Sequence, residues 1–330
     1  MRVVSGIQPT GNLHLGNYLG AIRRWVKMQD EVECLIFLAD LHAVTVYIDP
    51  AELRASVNAM AAGLIACGID PETTLLFNHA RVPAHPEMAW LLSCTARMGW
   101  LNRMTQFKEK SGKNREGVSV GLYAYPILQA ADVLLYQATH VPVGEDQKQH
   151  VELIRDIATK FNTDYQVDLF TLPEPQIGET AARIMSLRDG SAKMSKSDPS
   201  DMSRINLDDE DDSIAQKIRK AKTDAEPLPD SFDALAGRPE AANLVTIYAA
   251  LTDRTPQSVT EEFAGKGFGA FKPALAGLLV ETLAPIRKRL EAFKADPGEI
   301  DRILAAGSAK AAVMAAPTLE GAYRALGLPR

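Results

Sequence analysis

Val3-Val4-Ser5-Gly6-Ile7-Gln8-Pro9-Thr10-Gly11-Asn12-Leu13-His14-Leu15-Gly16-Asn17 opens the chain with a strand signal, a turn-rich segment and the start of a helix. The valines favour a pleated strand, and Gly6, Pro9, Gly11 and Asn12 then supply turn chemistry. Leu15, Leu19, Ile22 and Val26 recur at helical spacing, as one buried helix face requires. Strand, glycine turn and helix make the first half of a βαβ unit. Backbone N–H groups at the start of such a helix attract anions, glycines let a phosphate approach the backbone, and His14 and Asn17 add side-chain donors. The turn therefore suits a polyphosphate, although it suits an ordinary β-to-α connection equally well. It is neither the G-x-G-x-x-G dinucleotide fingerprint nor a P-loop, because no G-K-[ST] follows.

Downstream, the alternation continues. Cys34 to Ala39 is a short apolar run suited to a strand buried on both faces, and Asp49-Pro50 starts a helix that stops at Gly68. Thr73 to Phe77 and Thr139 to Val143 are further strand candidates, and Val151, Ile154, Ala158 and Phe161 form the face of a helix after Gly144. The expected fold is α/β, a Rossmann-like doubly wound parallel sheet, over residues 1–200. Beyond an acidic run at Asp208 to Asp212 the pattern is helical. Leu279, Leu283, Ile286, Leu290 and Phe293 mark a bundle helix, so residues 201–330 are expected to form a C-terminal all-helical domain. Asp224 to Pro239, rich in Pro, Asp and Ala, reads as an exposed linker.

Composition narrows the function. The 330 residues exceed the usual span of a single core, which fits two units. Lys plus Arg is 36 against 42 Asp plus Glu, a net charge of -6, so binding of nucleic acid by overall charge is excluded and any such contact needs local patches. Candidates are Lys217 to Lys222, Arg287-Lys288-Arg289 and the Arg97 to Arg103 region, each also readable as a solvated helix face. Cys34, Cys67 and Cys94 are isolated, arguing against a disulfide framework or zinc knuckle and for a reducing compartment. With neither a leader nor a run of 18 apolar residues, a soluble cytoplasmic protein without membrane or DNA partners is expected.

A second cluster, Lys193-Met194-Ser195-Lys196-Ser197, lies among the turn formers Asp189-Gly190-Ser191 and Asp198-Pro199. Two lysines three apart can meet several phosphate oxygens at once; alone, such a loop is more often simply solvated. Together, His14-Leu15-Gly16-Asn17 and Lys193 to Ser197 resemble the paired HIGH and KMSKS signatures of class I aminoacyl-tRNA synthetases. Six ordered stretches carry a closer resemblance, to the bacterial tryptophanyl-tRNA synthetases. They are Gly6 to Gly11, Asp40-Leu41-His42-Ala43, Met104 to Lys110, Ala130-Ala131-Asp132, Val143 to His150 and the lysine segment.

The resemblance implies a set of site residues. Gln8, Pro9, Thr10, Gly16 and Asn17 would surround ATP, with Gly144, Glu145 and Asp146 as a second stretch and Ile184, Lys193, Met194, Ser195, Lys196 and Ser197 as a third. Lys110 would reach the phosphates and, with His14, Asn17, Lys193 and Lys196, carry catalysis. Asp132 would read the tryptophan side chain: an indole N–H is a donor without acceptor capacity, so a carboxylate is its natural partner. A carboxylate in so apolar a run is also costly unless satisfied, whether by a ligand or by an arginine elsewhere in the fold. His42, Tyr125 and Gln147 would line the same pocket. Asn17 stands where the general motif has His, Gln129 where Met is common and Val4 where an aromatic can occur. The implied reaction is ATP-dependent attachment of L-tryptophan to tRNA(Trp), with Mg²⁺ bound through ATP, no protein-held metal, anticodon recognition by the helical part and a homodimer. Tyrosyl-tRNA synthetase, a small nucleotidyltransferase and a non-catalytic RNA-binding paralogue are the competing readings.

Overall fold

The computed structural model describes residues 1–105, 117–144, 147–176, 183–196 and 198–329. Strands β1 (Arg2–Ile7), β2 (Glu33–Leu38), β3 (Leu75–Asn78), β4 (His140–Pro142) and β5 (Glu174–Gln176) form a parallel sheet in the order β3-β2-β1-β4-β5. The register runs from Arg2 opposite Glu33 to Ile7 opposite Leu38. Alternate side chains enter opposite cores: Val3, Cys34, Ile36 and Leu38 face one, Val4, Leu35 and Phe37 the other. Helices cover both faces, which is the doubly wound α/β arrangement expected.

The first helix, α1, begins at Leu15–Asn17, passes through a π turn at Tyr18–Ile22 and ends at Arg23–Met28. Leu15, Leu19 and Ile22 are buried and Val26 is half-buried, so the extra residue in the π turn leaves the apolar face inward. Helix α2 (Pro50–Ala66) has the Asp49 cap, whose carboxylate accepts from the backbone N–H groups of Ala51 and Glu52. The third strand starts later than Thr73 because Thr74 N–H bonds back to Asp70 in a turn. Helices α3 (Ala84–Ser93), α4 (Val120–Leu134) and α5 (Lys148–Asp164) pack the second face. The chain lays β1, β2 and β3 to one side and then returns to place β4 beside β1. Connections leaving the C-terminal ends of β1 and β4 thus diverge, and a crevice opens there.

After Gln176 the described residues contain helices and turns and no strand: α6 (Asp211–Lys220), α7 (Pro239–Leu251), α8 (Pro256–Glu262), α9 (Phe268–Ala295) and α10 (Pro297–Ala325). Leu279, Leu283 and Ile286 are buried, with Leu290 and Phe293 packed beside them. A count of consecutive apolar residues does not flag α9, yet it has the length and composition to cross a bilayer. It lies against α6, α2 and α7 by one face, on which Phe271, Leu275, Leu279, Leu283 and Ile286 are buried. The stretch from Asp224 to Pro239 is not a plain exposed linker: Leu228 and Leu235 are buried, and Arg238 closes it by pairing with Asp224. The last helix, α10, runs back onto the edge strand β3. A Cβ on Gly307 would overlap the Leu76 carbonyl, and Ala311, Ala315, Leu319 and Ala322 fill the second core.

Candidate active site

The turn after β1 occupies the crevice. Gly11 has φ 63°, a left-handed conformation that favours glycine, and a Cβ there would meet Lys196 Cδ at 3.0 Å. The Lys196 ammonium donates to both the carbonyl and the hydroxyl of Thr10. Gly16 leaves room for the His14 ring, which a Cβ would approach to 3.0 Å, and for Met194 beyond it. Asn17 Oδ1 accepts from the His14 backbone N–H at 3.1 Å and so closes the start of α1. The two signatures, far apart in sequence, therefore form one surface. Gln8 is exposed and Pro9 buried on the same turn.

His14 is 4% exposed, and its Nδ1 has no hydrogen-bond partner. Burial, reinforced by Lys196, Arg204 and Lys193, lowers its pKa from 6.5 to about 4. It is a neutral imidazole at physiological pH, able to donate to or accept from a ligand without adding charge. Partial desolvation likewise lowers the Lys196 pKa.

The lysine segment is held from two sides. Met185 bridges Lys193 in antiparallel fashion, and Met194 N–H donates to the Ile184 carbonyl at 3.0 Å, which buries Ile184 and Met194 and leaves Lys193 exposed. On one side, Leu15 N–H bonds to Ile205 O and Leu207 N–H to Leu13 O, so residues 205–207 run beside the nucleotide turn. On the other, Asn243 on α7 grips the Met185 backbone, and Gly190 lies so close to Pro239 and Glu240 that a Cβ would stand 2.5 Å from their backbone. Buried Lys217 braces the following loop through Asp201 and Asp209, both at 2.6 Å. Sequence reasoning missed Arg204 and Asn243; the only signal was a polar residue, Asn243, within the apolar stretch Ala241 to Val245 of α7.

The second half of the site lies at the ends of β2 and β3. Asp40 joins them, accepting from Asn78 Nδ2 at 2.9 Å and Ala80 N–H at 2.8 Å, and so sets the place of His42. Asp132 on α4 is completely buried and, among the described residues, has histidine rather than arginine partners: His42 Nε2 lies 2.8 Å from Oδ2, and His85 Nδ1 lies 2.7 Å from Oδ1. His79 Nε2 is also 2.7 Å from Oδ1, though not in hydrogen-bonding geometry. Burial alone would raise the carboxyl pKa; the imidazoles of His79, His42 and His85 outweigh it and hold the group well below the usual carboxylate range. Tyr125 packs edge-on to His42 with ring centres 6.2 Å apart and bonds His150 at 3.0 Å. Gln147 opens α5, with its N–H on Gly144 O at 2.9 Å, and Gly144 is exposed beyond β4. His79, His85 and Tyr136, whose hydroxyl lies 2.7 Å from His85 Nε2, were not legible as members of this cluster.

Lys110, Glu145, Asp146 and Ser197 lie outside the described residues. Among the described residues, the one group that brings three metal-ligating atoms within 4.8 Å of one another is His42, His79 and Asp132. The basic patches are smaller than expected. Lys217 is buried in ion pairs and Arg287 is bound to Asp211 and the Asp209 carbonyl, which leaves Arg219, Lys220, Lys288 and Arg289 exposed.

The family described as tRNA synthetases class I (W and Y) matches residues 1–284. A tryptophan–tRNA ligase of Caulobacter vibrioides is 58% identical over 327 residues, 99% of this chain and 95% of that protein. The crystal structure of tryptophanyl-tRNA synthetase from Mycoplasma pneumoniae superposes with a TM-score of 0.87 at 34% identity, covering 99% of this chain and 98% of that one. The enzyme from Campylobacter jejuni, complexed with ADP and tryptophan, superposes with a TM-score of 0.83 at 34% identity, covering 99% of this chain and 100% of that one.

Proposed function

The chain belongs to the class I tRNA synthetases of the tryptophan and tyrosine group, and from that membership we propose how its residues divide the work. It is an enzyme that attaches L-tryptophan to tRNA(Trp), with ATP as substrate, through a tryptophanyl-adenylate. Near-full-length identity to tryptophan–tRNA ligases disfavours the tyrosine-specific, nucleotidyltransferase and non-catalytic readings.

In the first step, the tryptophan carboxylate attacks the α-phosphorus of ATP and pyrophosphate leaves. In the second, a ribose hydroxyl of the terminal adenosine of the tRNA attacks the acyl carbon and AMP leaves. The substrate carboxylate is itself the nucleophile, so the protein positions groups and offsets charge. The single observation that supports this assignment is Lys196 seated on Thr10, which brings the lysine segment onto the nucleotide turn. Lys193 and Lys196, with Lys110, offset charge on the phosphates, while neutral His14 and Asn17 orient them. Gln8, Pro9, Thr10, Gly16, Gly144, Glu145, Asp146, Ile184, Met194, Ser195 and Ser197 form the rest of the ATP site. Asp132 accepts the indole N–H, with His42, Tyr125 and Gln147 around it. Mg²⁺ bound to the nucleotide would offset further phosphate charge.

We place catalysis in residues 1–200 and anticodon recognition in 201–330, with α10 anchoring the latter to the sheet. Tyr47, Trp90, Met98 and Val120 are exposed at 93%, 71%, 65% and 81%. Ser119 bonds the Thr45 carbonyl and Tyr123 the Met98 carbonyl, so these segments stand side by side. The exposed Tyr47, Met98 and Val120 on these adjoining segments support a homodimer built on this face. Three free cysteines fit a reducing cytoplasm. The test is amino-acid-dependent exchange of labelled pyrophosphate into ATP with all twenty amino acids. Stimulation by tryptophan is expected; stimulation by tyrosine instead would refute the specificity, and none at all would refute the activity.

A further inference from the structure

One flank of Asp132 is occupied by a chain of donors that neither step of the reaction consumes. The Tyr136 hydroxyl lies 2.7 Å from His85 Nε2, and His85 Nδ1 lies 2.7 Å from Asp132 Oδ1. Both residues are completely buried. An ionised carboxylate only accepts, so Nδ1 carries the proton; in the neutral imidazole Nε2 then accepts, and Tyr136 must donate. The direction is fixed: Tyr136 to His85 to Asp132. His79 crowds the same oxygen, lying edge-on to His85 with ring centres 4.2 Å apart and stacked on His42 at 5.4 Å. Oδ2 takes one bond, from His42, and His42 is the only one of these four aromatic side chains with any exposure, 7%. The way in from solvent therefore leads to Oδ2.

We propose that His85 and Tyr136 are positioning residues for side-chain selection: by holding Oδ1, which His79 also crowds, they fix the carboxylate so that the open lone pair of Oδ2 meets a donor in the amino-acid pocket. They thereby favour an indole over a ring of the same shape that lacks the N–H. This rests on Asp132 being the acceptor of that N–H. The experiment compares kcat/KM in pyrophosphate exchange for tryptophan and for β-(benzothiophen-3-yl)alanine, in which sulfur replaces the N–H. Tyr136→Phe, His85→Leu, His85→Asn and Asp132→Asn are tested, each checked for a cooperative melting transition.

Tyr136→Phe and His85→Leu are expected to lower the preference for tryptophan by ~10-fold, through its KM, with kcat and the KM for ATP within about two-fold. His85→Asn, whose amide can donate from near the Nδ1 position, should recover most of it. Unchanged preference in Tyr136→Phe and His85→Leu, with collapse in Asp132→Asn, would overturn the proposal and spare the reading of Asp132. Unchanged preference in Asp132→Asn would overturn both. Loss in His85→Leu without loss in Tyr136→Phe would remove Tyr136 from the chain. Should His85→Leu fail to fold, Tyr136→Phe, which removes one oxygen, still decides.

Discussion

Asn243 holds the backbone of Met185 at both ends: its Oδ1 accepts from the Met185 N–H at 2.8 Å, and its Nδ2 donates to the Met185 carbonyl at 2.9 Å. A buried amide on the helical side of the molecule thus fixes the segment from which Ile184, Lys193 and Lys196 project. Asn243→Ala leaves both half-buried backbone groups without this partner, a cost of about 1–3 kcal/mol. The variant should melt earlier and show a raised KM for ATP, with tryptophan affinity little changed. Thermal unfolding and pyrophosphate exchange check both; an unchanged KM for ATP would show that the clamp does not set the lysine loop.

Lys196→Met removes a charge seated on the nucleotide turn. Loss of a preorganised cation of this kind lowers kcat by roughly 10²–10³. Tryptophan binding, followed by fluorescence without ATP, should be unaltered.

Gly11→Ala confronts both a left-handed backbone and the stem of Lys196. The strain costs about 1–2 kcal/mol, and displacement of Lys196 should raise the KM for ATP. Steady-state kinetics with ATP varied will show this as an effect separate from the fall in melting temperature.

The His14 pKa falls from 6.5 to about 4 on folding. Between those values the unfolded chain binds more protons, so this residue's contribution to stability rises with pH and is lost as pH falls through the window. Stability of the parent should therefore drop between pH 6.5 and 4 by on the order of 2 kcal/mol more than that of His14→Gln. Denaturant midpoints across the window measure the difference; parallel curves would mean that His14 is not held neutral by the fold.

Tyr47→Lys combined with Val120→Lys places charge on the exposed apolar face. Sedimentation should show the parent as a dimer and the variant shifted towards monomer. A parent that sediments as a monomer would remove the assembly proposal.

The sheet was legible because its strands are buried on both faces, so Cys34 to Ala39 reads as an unbroken apolar run whose alternate residues serve two cores. The turn after β1 and the lysine segment were each ambiguous alone, and only their pairing, through the resemblance to a known family, pointed to a nucleotide. The surroundings of Asp132 were not legible. An apolar run around a carboxylate announces that something must satisfy it, but the partners come from the ends of two other strands and a helix, 47 and 90 residues away for His85 and His42. Separation in sequence hides such a cluster from any local pattern. Lys217 and Arg287 misled for the related reason that a basic stretch looks solvated until its carboxylates, on another element, are seen.

The return of α10 to the edge strand β3 bears on how the chain comes to be folded. Gly307 and the alanines after it complete a core begun by residues near the N-terminus, so the sheet lacks part of its cover until the final helix has left the ribosome. A fragment that stops near residue 200 would carry every residue assigned here to the nucleotide and to tryptophan. It would also lack Asn243 and leave an apolar face of β3 in water, which makes it a poor minimal enzyme and a ready substrate for proteases and chaperones.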